Sequence, residues 1–272
     1  MEGFRNFPFI SLICLEVSFQ VPALMRNHVP IAVKVEAVRQ RIREAAFRSG
    51  RSETDVTLIA VTKYASAADG TVDALLAAGC RDLGESRPQA LLEKAEHFTP
   101  HPNPVPKGEE TIRWHLIGPL QRNKVRKILP LVSLIHSVDS IRLAKTMDRI
   151  AAELSEEIGL SVQPRCLLEV ALSDDVAKHG IEAEHLPAVL DQLAALQHVS
   201  FCGLMGMAGL DVDDAEIRRQ FAALRQLAES LRERGTPENV SLTELSMGMS
   251  GDFEIAVEEG ATLVRIGSLL YQ

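Results

Sequence analysis

The chain has no excess of positive charge: 37 acidic residues against 29 basic ones leave a formal net charge of -8. That removes the electrostatic footprint by which proteins meet nucleic acid or an anionic membrane surface, and it favours a small-molecule partner. Cysteines are few and scattered. Cys14, Cys80, Cys166 and Cys202 show no C-x-x-C spacing, so neither a zinc site nor a dense disulfide framework is indicated. Their apolar neighbours point to reduced, buried thiols and a cytoplasmic location. No apolar run reaches the ~20 residues a membrane-spanning helix needs; the most apolar segment, FPFISLICLEVSFQVPALM, is broken by Pro8, Glu16 and Pro22. A signal peptide is loosely matched there by Arg5, the stretch from Phe7 to Leu15 and Ala23, but the flanking charge is weak and nothing downstream looks secreted. The expectation is that residues 1–24 are a non-native or dispensable extension, that Met25 is the natural start, and that 25–272 form one domain. Long repeats are absent. The one conspicuously irregular tract is TPHPNPVPKGEE, residues 99–110, whose spaced prolines forbid regular structure and indicate an exposed excursion.

What remains is a steady alternation. An opening helix is read from Val35, Val38, Ile42 and Ala45 at helical spacing, with Gly50 as its stop. Then LIAVTK precedes TVDALLAAG, RDLGES precedes RPQALLEKAEHF, RWHLIG precedes QRNKVRKILPLV, and LIHSVD precedes SIRLAKTMDRIAAELSEEIG. The second half continues with RCLLEV before HLPAVLDQLAAL, FCGLMGM before DAEIRRQFAALRQLAESLRERG, LTELSM before DFEIAVEEG, and a final strand in TLVRIGSLLY. Eight strands alternating with helices in a chain of 272 residues predict a single (β/α)8 TIM barrel, which typically takes about 250 residues, rather than an open doubly wound sheet.

In such a barrel, functional groups gather at the carboxyl ends of the strands. Lys63 ends the first strand, Glu85 and Ser86 the second, Asp139 the fourth, and Met205 and Met207 the sixth; SDDVAKHG follows the fifth. Alone, Lys63 reads as a solvated lysine opening a loop. The loops after the seventh and eighth strands change that, because they are the usual phosphate site of the fold. SMGMSGDF supplies hydroxyls at Ser246 and Ser250 and glycines at 248 and 251, and RIGS adds Gly267 and Ser268. Serine and glycine also make ordinary turns and caps, but two such loops side by side suit an anion. A lysine across the mouth is the residue that forms a Schiff base with an aldehyde, and an apolar barrel disfavours its charged form. Pyridoxal 5'-phosphate (PLP) carries both handles, an aldehyde and a phosphate on opposite sides of a ring.

From about Ile31 to Tyr271 the sequence resembles the pyridoxal phosphate homeostasis proteins, the YggS/PROSC family. The matching pieces are LIAVTK, LGES with QALLEK, WHLIGPLQRNK, IHSVDS, KHGI, GLMGMA, LSMGMSGDFEIAVEEGAT and VRIGS. The resemblance implies a barrel of the alanine racemase N-terminal-domain type with the PLP aldehyde on Lys63. It implies a phosphate pocket at Ser246, Met247 and Gly248 and at Gly267 and Ser268, and Arg265 facing the pyridine nitrogen. A guanidinium there keeps that nitrogen unprotonated and weakens the ring as an electron sink. Ser86 stands where many members carry asparagine, so a side-chain contact from the second strand is shorter or water-mediated. After RIGSLLYQ the family usually continues, so Gln272 marks either a truncation or a short terminus.

A racemase needs a second base, in that fold a tyrosine from a separate domain; here Tyr64 and Tyr271 are the only tyrosines. The reading is therefore a non-catalytic carrier and regulator in vitamin B6 homeostasis, acting indirectly on amino-acid and keto-acid pools. Its expected partners are PLP and, transiently, PLP-dependent apoenzymes, with no nucleic acid, no membrane and a monomeric state. The alternative is a slow PLP-dependent racemase using Lys63 and a second base from His115, Asp139 or His179. Each of these also has an ordinary reading: a satisfied core histidine, a helix cap and a solvated side chain. A third reading, a cofactor-free lysine aldolase, needs a dedicated acid and base near Lys63. The basic LQRNKVRK suits a second phosphate or a client protein but equally a solvated helix face, and SDDVAKHGI suits a lid.

Overall fold

Short, largely apolar runs separated by amphipathic segments leave most strand residues to be buried on both faces, which a parallel sheet covered by helices satisfies. The computed structural model describes residues 29–98, 111–172 and 180–272. The strands are β1 (Thr57–Val61), β2 (Asp82–Glu85), β3 (Arg113–Leu116), β4 (Leu134–Val138), β5 (Arg165–Ala171), β6 (Ile181–Glu182), β7 (Ser200–Gly206), β8 (Val240–Ser246) and β9 (Leu263–Ile266). All pairings are parallel; β1 to β5 run in order, β5 pairs with β7, and β8 and β9 follow. The ring closes where β9 pairs with β1, placing Ile59 opposite Arg265. This is the expected (β/α)8 barrel.

The helices are α1 (Ile31–Arg48), α2 (Thr71–Ala77), α3 (Pro88–Phe98), α4 (Val125–Ile128), α5 (Ile141–Ile158), α6 (Leu186–Leu193), α7 (Asp214–Arg234), α8 (Phe253–Glu258) and α9 (Ser268–Tyr271). Their limits follow local chemistry. The Ser140 hydroxyl accepts the Leu143 N–H to start α5, and Gly159 ends it with φ of 69°, a left-handed cap that glycine adopts without steric cost. Alternate strand residues then separate into two cores. Ala60, Leu83, Trp114, Ile135, Leu168, Phe201 and Val264 pack with the helices, while Ile59, Leu134, Leu167, Cys202, Met205 and Leu263 form a separate inner cluster.

Three expectations shift. QRNKVRKILPLV yields a 3-10 turn at Arg122–Lys124 and only one helical turn, α4, because Pro130 cannot supply an N–H to extend it. TLVRIGSLLY is not one strand: β9 stops at Ile266 and α9 follows, burying Leu270, since a helical turn lets Leu270 reach the outer core while Tyr271 turns back. Its hydroxyl donates to the Val61 carbonyl at 2.8 Å. The two-residue β6 beside β5 escaped the sequence reading because it is too short to show alternation. Residues Ile31–Gln272 form one compact unit. The expected extension at 1–24, the proline-rich tract at 99–110 and most of SDDVAKHG, with His179, lie outside the described residues. No helix among the described residues is long and apolar enough to cross a membrane.

Candidate functional site

At the carboxyl ends of β1, β2, β3, β7, β8 and β9 lies a cavity of about 370 Å³, lined among others by Lys63, Ser86, Met207, Arg265, Gly267 and Ser268. Lys63 sits exposed two residues past β1, its Nζ 4.9 Å from the centroid of the Tyr64 ring. It stands in the open mouth rather than inside the apolar barrel, so the enclosure expected from the sequence is not what surrounds it. Tyr64 packs edge-on against Tyr271, ring centroids 5.9 Å apart. Tyr271 in turn holds the end of β1 through Val61.

A buried ion pair fixes the two chain segments that bear Lys63 and Ser86. Lys94, on the inner face of α3, donates to the Glu85 carboxylate at 2.5 Å, to the Thr62 carbonyl at 2.7 Å and to the Thr62 hydroxyl at 3.3 Å. Its three ammonium hydrogens thus have three acceptors. The other Glu85 oxygen accepts the N–H groups of Ser86 and Arg87 at 2.8 and 3.3 Å. The sequence reading placed Glu85 among the functional strand ends; the structure buries it fully as an anchor.

The loops after β8 and β9 meet as expected, but through different atoms. The Ser250 hydroxyl accepts the N–H groups of Gly267 and Leu269 at 3.2 and 3.4 Å, and so ties the loops together. Met249, Ser250 and Gly251 line the cavity; Ser246, Met247 and Gly248 are not among its lining residues. The reason is physical. The Ser246 and Met247 side chains are fully buried, the Met247 N–H is taken by the Leu263 carbonyl and the Gly248 carbonyl by the Arg265 N–H. Gly248 has φ of 91°, and a Cβ there would stand 2.5 Å from that of Ala256, so the position admits no side chain. The cavity lining thus comes from Met249, Ser250 and Gly251, with the expected Ser246, Met247 and Gly248 just before them in the chain.

Arg265 is buried beside this cavity, one guanidinium nitrogen donating to the Ser246 hydroxyl at 2.6 Å and the other to the Gly206 carbonyl at 3.1 Å. Burial pulls its pKa down to about 10 despite Asp252 and Glu169, which leaves it charged at neutral pH. Beyond Ser246 the polar contacts continue through the barrel. Ser246 Oγ lies 2.8 Å from His136 Nδ1, His136 Nε2 lies 3.0 Å from His115 Nδ1, and His115 Nε2 lies 3.0 Å from Asp82 Oδ1. Burial, with His115 and Arg265 as neighbours, pushes His136 well below the usual histidine range. Burial alone would raise the Asp82 pKa, but hydrogen bonds from Arg113 and His115 outweigh it and hold it at about 2.

Of the candidate second bases, His115 thus has both ring nitrogens engaged, and Asp139 accepts the Ser140 hydroxyl at 3.0 Å; neither lines the cavity. The sequence reading missed Lys94, His136 and Asp82. Lys94 carried a signal, since it shares the buried stripe of Leu91 and Ala95.

Residues 33–272 match the family "alanine racemase, N-terminal domain". A pyridoxal phosphate homeostasis protein of Synechocystis sp. is 39% identical over 216 residues, 79% of this chain and 90% of that protein. The chain belongs to the pyridoxal phosphate homeostasis protein family. PipY of Synechococcus elongatus PCC7942, solved with PLP bound, superposes with a TM-score of 0.72 at 36% identity, covering 89% of this chain and all of that one. Alanine racemase of Clostridium difficile superposes with a TM-score of 0.65 at 14% identity over 89% of this chain and 59% of that one, a likeness of fold alone. The family's barrel is thus the one described here.

Proposed function

We propose that this chain binds pyridoxal 5'-phosphate in the cavity at the carboxyl ends of the strands and serves as a non-catalytic carrier and regulator in vitamin B6 homeostasis. The observation that carries the reading is that one cavity gathers Lys63, Arg265 and the glycine- and serine-bearing loops after β8 and β9, with a relative 36% identical solved with PLP in place. The donor set fits the group: an exposed primary amine, a buried cation and two loops lie around one space. When bound, the cofactor supplies an aldehyde that condenses with a primary amine and a phosphate dianion that needs N–H and O–H donors. Lys63 supplies the amine. We assign the phosphate to the loops after β8 and β9, where Ser250, Gly251, Gly267 and Ser268 line the cavity and Ser246, Met247 and Gly248 precede them, and Arg265 presents a donor without an acceptor to the ring. Ser86 approaches from the β2 side.

Neither His115 nor Asp139 lines the cavity, which supports the carrier reading, since neither offers a base to it. The exposure of Lys63 supports exchange of the cofactor with acceptor apoenzymes. Among the described cysteines, Cys80, Cys166 and Cys202 are free and buried, which supports a reducing, cytoplasmic setting, and we read the protein as a monomer. The test is borohydride reduction of PLP-treated protein followed by peptide mass spectrometry. The expected result is a cofactor mass on the Lys63 peptide, absent in Lys63→Ala; no uptake by the wild-type chain overturns the binding reading. Exchange of an amino-acid α-proton in deuterated buffer, lost in Lys63→Ala, overturns the non-catalytic one.

A further inference from the structure

Arg265 is an obligate donor and an ionised carboxylate an obligate acceptor, and in this barrel the two are the ends of one continuous chain of contacts. With neutral imidazoles that fixes every hydrogen between them. The Ser246 hydroxyl takes the Arg265 N–H on a lone pair and gives its own hydrogen to His136 Nδ1, which the carboxylate end of the line leaves as an acceptor. His136 then carries its hydrogen on Nε2 and gives it to His115 Nδ1; His115 carries its own on Nε2 and gives it to Asp82. In this arrangement each buried polar atom along the line has a partner of the right kind. Reversing one link of the neutral chain sets a lone pair of His115 against the Asp82 carboxylate, so the links are coupled. At the far end the Arg113 guanidinium grips Asp82 through Nε at 2.7 Å and Nη2 at 2.5 Å, which keeps the carboxylate in place.

We propose that Asp82, His115 and His136 are positioning residues: with Ser246 they form a one-way hydrogen-bonded chain through the barrel that holds the Arg265 guanidinium in its orientation beside the cavity. None of the three lines that cavity, so their effect passes through Arg265. The bearing on cofactor binding rests on the function proposed above, whereas the chain itself is testable without cofactor.

In cofactor-free protein with 15N-labelled histidine and arginine, two-bond 15N–1H spectra at neutral pH are expected to show His115 and His136 both as the Nε2–H tautomer. Either one found mainly as Nδ1–H overturns the proposal. His115→Phe removes an acceptor and a donor together, whereas His115→Gln keeps a carbonyl for His136 and an amide for Asp82. Exchange of the Arg265 guanidinium hydrogens with water is expected to quicken about tenfold in the Phe variant, as befits one lost buried hydrogen bond, and to stay near wild type in the Gln variant. Equal exchange in all three proteins overturns the positioning role, and so does equal quickening in both variants. If the Phe variant fails to fold, the wild-type tautomers and the Gln variant still decide. PLP titration of the same proteins is expected to give weaker binding in the Phe variant and recovery in the Gln variant. A wild-type protein that takes up no PLP refutes the binding reading while leaving the tautomer and exchange results to judge the chain.

Discussion

Two buried polar assemblies serve the cavity, and they are built on opposite principles. Outside the barrel wall, Lys94 and Glu85 meet as full charges and hold the ends of β1 and β2. Inside it, Asp82 and Arg265 are kept apart by two histidines and a serine whose links carry no net charge. The ionic pair is strong only while complete, because removing one partner leaves the other as an uncompensated buried charge. The inner line instead gains its specificity from direction: hydrogens can be arranged along it in only one neutral way. Charge fixes the backbone near Lys63, and hydrogen-bond polarity fixes the side chain of Arg265.

The sharpest way to break this contrast is Lys94→Met, which strands the Glu85 carboxylate. It is expected to lower stability by about 3–5 kcal/mol in urea unfolding, and the double variant Lys94→Met with Glu85→Leu to recover a substantial part of that loss. A loss under about 1 kcal/mol in the single variant would show that the pair is not the anchor described.

The inner line is expected to reveal itself in acid. The Asp82 pKa is depressed from 3.8 to about 2 in the folded chain, so its contribution is fully present above the unfolded value and is lost as pH falls from about 4 through 2. The stability gap between wild type and Asp82→Asn is therefore expected to shrink by roughly 2 kcal/mol over that window in urea titrations at stepped pH. A gap that does not change with pH would mean that Asp82 acts without its charge. The smallest effect is expected for Tyr271→Phe, which removes one neutral hydrogen bond to Val61 and is expected to cost about 1 kcal/mol, read as a lowered melting temperature.

Much of the site was legible because strand ends are visible in one sequence. Lys63, Ser86, Arg265, Gly267 and Ser268 all stand where an apolar run gives way to polar residues, and all line the cavity. The direction of the Ser246 side chain was not legible. Ser246 too ends a run, but β8 continues through it and turns its side chain to the interior. Which way the last residue of a strand points depends on register, and register with β7 and β9 is not written in the local pattern. His136 was hidden similarly: LIHSVD reads as a buried strand, which it is, and only the neighbouring strand shows that its imidazole meets another. Lys94 was the readable exception, a charge on an apolar stripe.

The seam between β1 and β9 has a consequence in time. Lys63 follows the first barrel strand and Arg265 lies on the last, opposite Ile59 across that seam. During synthesis the lysine therefore leaves the ribosome about two hundred residues before Arg265, and an unfinished chain carries the Lys63 amine without the rest of the cavity it lines. Contacts so distant in sequence form late in folding. Completion of the pocket thus coincides with closure of the barrel, and a ligand spanning the seam would fasten first strand to last like a clasp.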